Sequence, residues 1–289
     1  FTEDITKESK QKVIAENVRI PIVVYDDVSW ATYYIIFTGL PIIDLATEEG
    51  FWAEQIWGTA TFYDTNFSIH GVKKSDYNGH IRGKTSRMFP KKGYKINLTK
   101  KDTKGNDVLN KQALFGMRED DDWILHAMYN DDTKLRDALS MAVWDKFGAV
   151  VEGQSEKAYY GPKITYVELI ADNVYHGLYA MIEPVDAKQL DLQEGDYLYK
   201  RKSPGGLQYE GFIEATDPYA IVNGFEIKEG VMNENAWEPM AILSWVLHVS
   251  DEEFLENIEE VMDIDSAIRM WLFIQMITGH DQTAKNVFY

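Results

Sequence analysis

The chain has no cysteine. That excludes disulfide staples, zinc–thiolate sites and thiol nucleophiles, while leaving the compartment open. It also lacks any apolar run near the roughly 18 residues a membrane helix requires. The longest candidate, 271–278, has the size of a helix interior. Positive charge is scarce: 29 Lys and Arg face 47 Asp and Glu, for a formal net charge of -18 and a pI near 4.7. Such a field repels nucleic acid and anionic membrane and attracts basic partners. Reaction motifs are missing as well. There is no G-x-S-x-G and no Ser/His/Asp order among the six histidines to support a hydrolase. No His-x-x-x-His pair is spaced for a metal, and no G-x-G-x-x-G loop is present. The first residue is Phe1, so a processed or trimmed N-terminus is expected and a targeting peptide cannot be read.

What remains is a globular composition of 289 residues, 45% apolar and 13% aromatic, enough for one large domain or two lobes with ample core. Residues 1–16 read as a polar leader or helix. From Val18 the texture turns β-branched and aromatic, with expected strands at 20–24, 33–37, 42–46, 59–63, 67–72, 79–82 and 94–98. Asp64-Thr65-Asn66 and Asn78-Gly79 read as turns, and 100–110 as an exposed polar loop. Apolar positions at 135, 138, 139, 142 and 143 predict a helix from Asp132, ended by Gly148. Strands at 165–171 and 177–182 follow, joined by a turn opening on Asp172-Asn173. Helices are expected over 236–249 and 265–278, with a capping box at Ser250 to Glu253. The order predicts an α+β chain forming a single domain over 1–289, β-rich to Glu183 and helical from 184 to 289, with no linker, repeat or low-complexity tract. A monomer is expected.

Two constellations carry chemistry. The first closes the chain: Gly279-His280-Asp281-Gln282-Thr283-Ala284-Lys285-Asn286. In phosphoryl-transfer enzymes an Asp placed so accepts the proton of the attacking hydroxyl, and an Asn five residues on holds magnesium. The pattern resembles the protein-kinase H-R-D-x-x-x-x-N without its Arg. The plain alternative is a turn in which Asp281 caps and Asn286 bends. The second constellation is basic: between Arg82 and Lys95 six cations fall within fourteen residues of an otherwise acidic chain. Gly83 and Gly93 permit close backbone approach to a phosphate, and Thr85 and Ser86 offer hydroxyls. A solvated basic hairpin paired with the protein's own acids explains the composition equally well. The acidic run Glu119-Asp120-Asp121-Asp122 reads as a solvated loop or cap.

Taken in order, several runs resemble the CotH family of spore-coat protein kinases. They are Arg82-Gly83-x-x-Ser86, Pro90-Lys91-Lys92-Gly93-Tyr94, Asp122-Trp123-Ile124-Leu125, and Asn130-Asp131-x-x-x-Leu135-Arg136. Tyr175-His176-Gly177-Leu178-Tyr179-x-x-x-Glu183, Leu198-Tyr199-Lys200 and Asp281-x-x-x-x-Asn286 complete the series. The resemblance covers roughly 60–289. It implies an atypical protein-kinase-like two-lobed fold, with a β-rich N-lobe, a helical C-lobe truncated at Tyr289, and a second metal-binding Asp beyond that point. It implies ATP and Mg2+ as cofactors and a Ser/Thr-containing protein as substrate, and the net charge of -18 adds the expectation that this substrate is basic. Asp281 would be the catalytic base and Asn286 the metal ligand. Arg82 and Ser86 would face the phosphates, either Lys92 or Lys95 would pair with them, and the adenine would lie beside Glu183-Pro184-Val185. The location it implies is extracellular, at a cell surface or spore coat. The same resemblance extends to non-catalytic surface adhesins, a second expectation from the same fold.

Overall fold

Alternation of apolar and polar side chains builds the first half of the molecule. The computed structural model describes residues 19–25, 28–36, 38–65, 71–148, 155, 157–204, 206–283 and 285–289. They divide into two compact units, one made of residues up to Asp132 with Ile164–Glu183, the other of Thr133–Lys163 with Pro184–Tyr289. The architecture is mixed α and β. The polar leader read at 1–16 and most of the strand read at 67–72 lie outside the described residues.

In the first unit, β1 (Arg19–Tyr25) and β2 (Trp30–Ile36) form a separate antiparallel hairpin. Then come β3 (Ile42–Thr47), β4 (Gln55–Tyr63), β5 (Val72–Arg82), β6 (Gly93–Lys101) and β7 (Asp107–Leu109). The short β8 (Gln112–Ala113) and β9 (Glu119–Asp120) pair with each other, and β10 (Asp122–His126), β11 (Ile164–Ala171) and β12 (Val174–Ile182) complete the unit. Seven strands close into a barrel in the order β10-β12-β11-β3-β4-β5-β6, with β6 pairing back onto β10 and β7 added outside β6. All these pairings are antiparallel except β3 with β11. Period-2 alternation sends Ile43 and Leu45, Ile56, Ala60 and Phe62, Tyr94, Ile96 and Leu98, and Trp123 and Leu125 into one core. Their neighbours Lys95, Asn97 and Asp122 stay only partly buried, on the opposite side of their strands.

Three expectations are corrected here. Asn78-Gly79 is no turn but lies inside β5; a Cβ on Gly79 would stand 2.5 Å from the Lys95 carbonyl oxygen, so glycine serves close strand approach. The stretch 100–110 is no open loop, because β6 runs to Lys101 and returns as β7 through a turn fastened by the Asp102 carboxylate, which accepts from Lys104, Asn106 and the Asn106 amide. The acidic run is solvated only in part: Glu119 is exposed and Asp122 half-buried. Asp120 is fully buried, gripped by Arg118 through Nε at 2.9 Å and a second guanidinium nitrogen at 2.7 Å, and Asp121 is buried beside it.

The β11–β12 connection is a two-residue turn in which Asp172 and Asn173 both adopt left-handed backbone, at φ 50° and 63°. The Asp172 carboxylate accepts from the Thr47 N–H at 2.8 Å, the Thr47 hydroxyl at 2.6 Å and the Phe51 N–H at 3.2 Å. Burial pushes its pKa up, but these bonds and nearby His176 outweigh burial and hold it below the ordinary value. Burial lowers His176, whose ring packs on Phe51 and Trp52 at centroid distances of 4.6 and 5.2 Å, and Lys91 adds to the shift. Both groups therefore bind protons more weakly folded than unfolded, and both lend stability that is complete at high pH and lost on acidification. The melting temperature is expected to be flat between pH about 6.5 and about 9, to fall below about 6.5, and to fall again near pH about 4. His176→Phe should remove the first decline in a pH series of thermal melts.

In the second unit, α1 (Arg136–Phe147), α2 (Ala187–Leu190), β13 (Leu198–Arg201), α3 (Tyr209–Ile213) and β14 (Phe225–Glu229) precede three longer helices. These are α4 (Glu238–Val246), α5 (Asp251–Val261) and α6 (Ile264–Met276). Residue 132 does not begin α1; Lys134 is left-handed at φ 59°, so the helix waits until Arg136. Gly148 ends α1 with φ -54°, and its lack of a side chain serves space instead of a left-handed cap, since a Cβ would meet the Trp144 carbonyl oxygen at 2.8 Å. The Ser250 box caps α5 as its spacing requires. Tyr199, Phe212, Phe225, Trp237 and Met240 form this unit's buried cluster.

Candidate phosphate-binding cleft and terminal loop

The basic segment begins where β5 ends. Gly83 turns the chain at φ 102°, a conformation side chains disfavour, and any Cβ there would overlap the Ser86 hydroxyl. A single 3-10 turn, Thr85–Met88, then presents Ser86 before the chain re-enters the barrel as β6. Between this loop and the segment after β10 lies a cleft of about 90 Å³. Arg82, Gly83, Ser86 and Lys91 line one side, and residues 125–130, including His126 and Asn130, line the other. Phe89 and Tyr129, which also line the cleft, stack with their ring centroids 5.2 Å apart.

Charge within the site is divided. Partial desolvation lowers the Arg82 pKa and the Asp122 carboxylate opposes it, yet a guanidinium stays protonated at any working pH. Arg82 pairs with Gly93 and His80 with Lys95 in the β5–β6 register, which puts Arg82 and Lys95 on the same outer face. There Lys95 forms an ion pair with Asp122 at 2.8 Å. Lys92 does not line the cleft; its ammonium donates to the Arg87 carbonyl and braces the loop from within. The lysine that does line it is Lys91, whose ammonium donates to the Leu178 carbonyl and sits 4.1 Å over the Tyr179 ring. Sequence reasoning named Arg82 and Ser86 and missed Lys91, His126 and Asn130. The Pro90-Lys91-Lys92-Gly93 run pointed at this lysine pair without showing which member faces the cleft.

Glu183 ends the first unit. Its side chain is buried, and Oε1 accepts the Arg118 N–H at 3.0 Å. The other two candidates belong to the second unit. After α6 the chain makes a 3-10 turn over His280–Thr283, which leaves the Asp281 side chain 67% exposed, with Lys285 at 3.2 Å. Asn286 takes left-handed backbone at φ 59° and donates its N–H to the Arg201 carbonyl at 2.7 Å. Tyr289 and Tyr199 exchange backbone hydrogen bonds of 2.9 Å, and Lys200 bridges to Phe288. The last residues thus line up along β13, which fixes the Asp-to-Asn loop at its Asn286 end. Among the described residues no group of three or more His, Cys, Asp or Glu could hold a metal ion.

A family model described as CotH kinase protein matches residues 80–289, a span that includes the basic loop, the cleft and the terminal Asp-x-x-x-x-Asn. No curated protein matches the chain. By the match over most of its length, the chain belongs to the CotH family.

Proposed function

We propose that the protein is an atypical two-lobed protein kinase, which transfers the γ-phosphoryl group of ATP, with magnesium, to Ser or Thr of a basic surface or spore-coat protein. The observation that carries this reading is the cationic cleft in a chain of net charge -18. Its volume, about 90 Å³, suits a phosphate group, whereas a whole drug-sized ligand needs about 300–1,000 Å³. Phosphates therefore fit here, and the nucleoside must extend past it.

Arg82 and the Ser86 hydroxyl would hold phosphate oxygens, Arg82 through its planar fork of donors. Neither Lys92 nor Lys95 lines the cleft; of the two, Lys95, on the same face as Arg82 and paired with Asp122, is the one we assign to the phosphates. The adenine edge would meet the backbone at Glu183-Pro184-Val185. Asn286 would hold magnesium through its amide oxygen, with water and phosphate oxygens supplying most of the shell, as this ion commonly accepts. When bound, magnesium neutralises charge on the phosphates. Asp281 accepts the proton of the Ser or Thr hydroxyl as that oxygen attacks the γ-phosphorus and the bond to the β–γ bridging oxygen breaks.

Thermal melts with ATP and magnesium test the reading. A dose-dependent rise in melting temperature is expected that needs both ligands. Arg82→Ala removes a charge-assisted contact worth about 1.5–3 kcal/mol, so the apparent Kd for ATP should weaken roughly 10- to 150-fold. No shift at millimolar ATP would leave the fold as a module that only presents loops, the adhesin alternative.

A further inference from the structure

We infer that the second unit carries a docking groove for a protein segment in which a large apolar side chain stands beside Lys or Arg. The groove lies between α3 and α4 and encloses about 600 Å³, within the range of ligand sites. Helix α4 is apolar nearly all round. Its inner side buries Met240, Ala241, Leu243 and Val246, while Ile242 and Trp245 on its other side remain 46% and 42% exposed in the groove. Ile213, at the end of α3, adds a third large apolar side chain at 58% exposure, over a floor made by buried Phe212. A helix without a polar face commonly lies buried, and clustered exposed apolar surface marks interaction sites.

The walls are fixed in advance. The Ser244 hydroxyl donates to the Leu207 carbonyl at 2.6 Å, tying α4 to the segment before α3, and the Trp237 indole donates to the Asp217 carbonyl at 3.0 Å. A preformed groove spares the ordering entropy of binding.

Charge names the occupant. Glu234 and Glu238 line the rim, and among the described residues no Lys, Arg or His lines the groove. An apolar side chain would cover Ile213 and Ile242, while a neighbouring cation pairs with the two carboxylates or lies over the rings of Trp245 and Tyr209. The segment need not be phosphorylated, so the groove stands apart from the kinase reading.

The test uses the full chain without nucleotide, titrated against a fluorescein-labelled peptide of alternating Lys/Arg and Leu/Phe and read by fluorescence anisotropy. Saturable micromolar binding is expected, weakening as salt rises. The pair Glu234→Gln with Glu238→Gln should weaken it about tenfold and flatten the salt dependence. Trp245→Ala, at an exposed position, should reduce binding at least as much with the melting temperature retained. Equal binding of a Glu-substituted peptide, or wild-type affinity in both variants, would overturn the proposal. So would self-association in sedimentation that Trp245→Ala abolishes, because the face would then be an interface between copies. The assay measures no phosphotransfer, so its failure and a failure of the kinase reading are separate results.

Discussion

Asp281→Asn in the full-length protein is expected to slow phosphorylation of a Lys-rich, Ser-containing peptide by about 10²–10⁴, the contribution of a positioned base. The substitution keeps the shape of the side chain and removes its ability to take a proton. Stability should scarcely change, since the side chain is 67% exposed and its ion pair with Lys285 lies at the surface, where such pairs contribute about 0–1 kcal/mol. Single-turnover transfer of labelled phosphate, beside a thermal melt, separates the two effects. A wild-type rate would reduce Asp281 to the end of a helical turn. With wild-type protein, transfer to the basic peptide should exceed transfer to an acidic one and fall as salt rises. Equal rates that ignore salt would remove the basic substrate from the proposal.

The largest loss of stability is expected at Trp123. Its side chain is fully buried on β10, between β6 and β12, and truncation to Ala should cost about 3–5 kcal/mol through lost contacts and an unfilled cavity. Among the described residues the indole N–H has no hydrogen-bond partner. Trp123→Phe gives up volume but also removes a buried unsatisfied donor, which offsets part of the loss. Urea unfolding followed by circular dichroism should place Trp123→Phe much nearer wild type than Trp123→Ala. Equal destabilisation by both would mean that the N–H is engaged in the folded protein.

What could be read from the sequence was mostly local. The alternation at 94–98, the Asp172-Asn173 hairpin and the Ser250 capping box each depend on a few adjacent residues, and each stands in the structure. Misread segments were governed by partners far along the chain. Gly79 looked like a turn because the strand pressing on it, β6, is invisible in its own neighbourhood. Asp120 is an exception: Arg118, which grips it, stands only two residues away, and what its local sequence hid is burial within the fold. Closure of the barrel, by β6 on β10 and β3 on β11, left no periodic mark. The candidate site shows the same division. Arg82 and Ser86 stood out by a local reversal of charge, whereas the sequence left Lys92 and Lys95 undecided and did not mark Lys91, because which lysine lines the cleft depends on how the loop folds back before β6.

The chain order of that barrel has a consequence for synthesis. Residues 42–45 find their parallel partners only at 168–171, and β10 finds its second neighbour only at β12. Between them the chain leaves to contribute residues 133–163 to the other unit. The 47 residues between the end of β10 and the start of β12, made at about 5–20 residues per second, keep the β10 edge open on the ribosome for about 2–9 s, and the β3 edge waits longer still. Open edges recruit other strands, so nascent chains are expected to depend on chaperones during this interval. A ribosome paused before Ile164 would hold five of the seven barrel strands as an open, aggregation-prone sheet, while one released after Glu183 would hold a closed barrel.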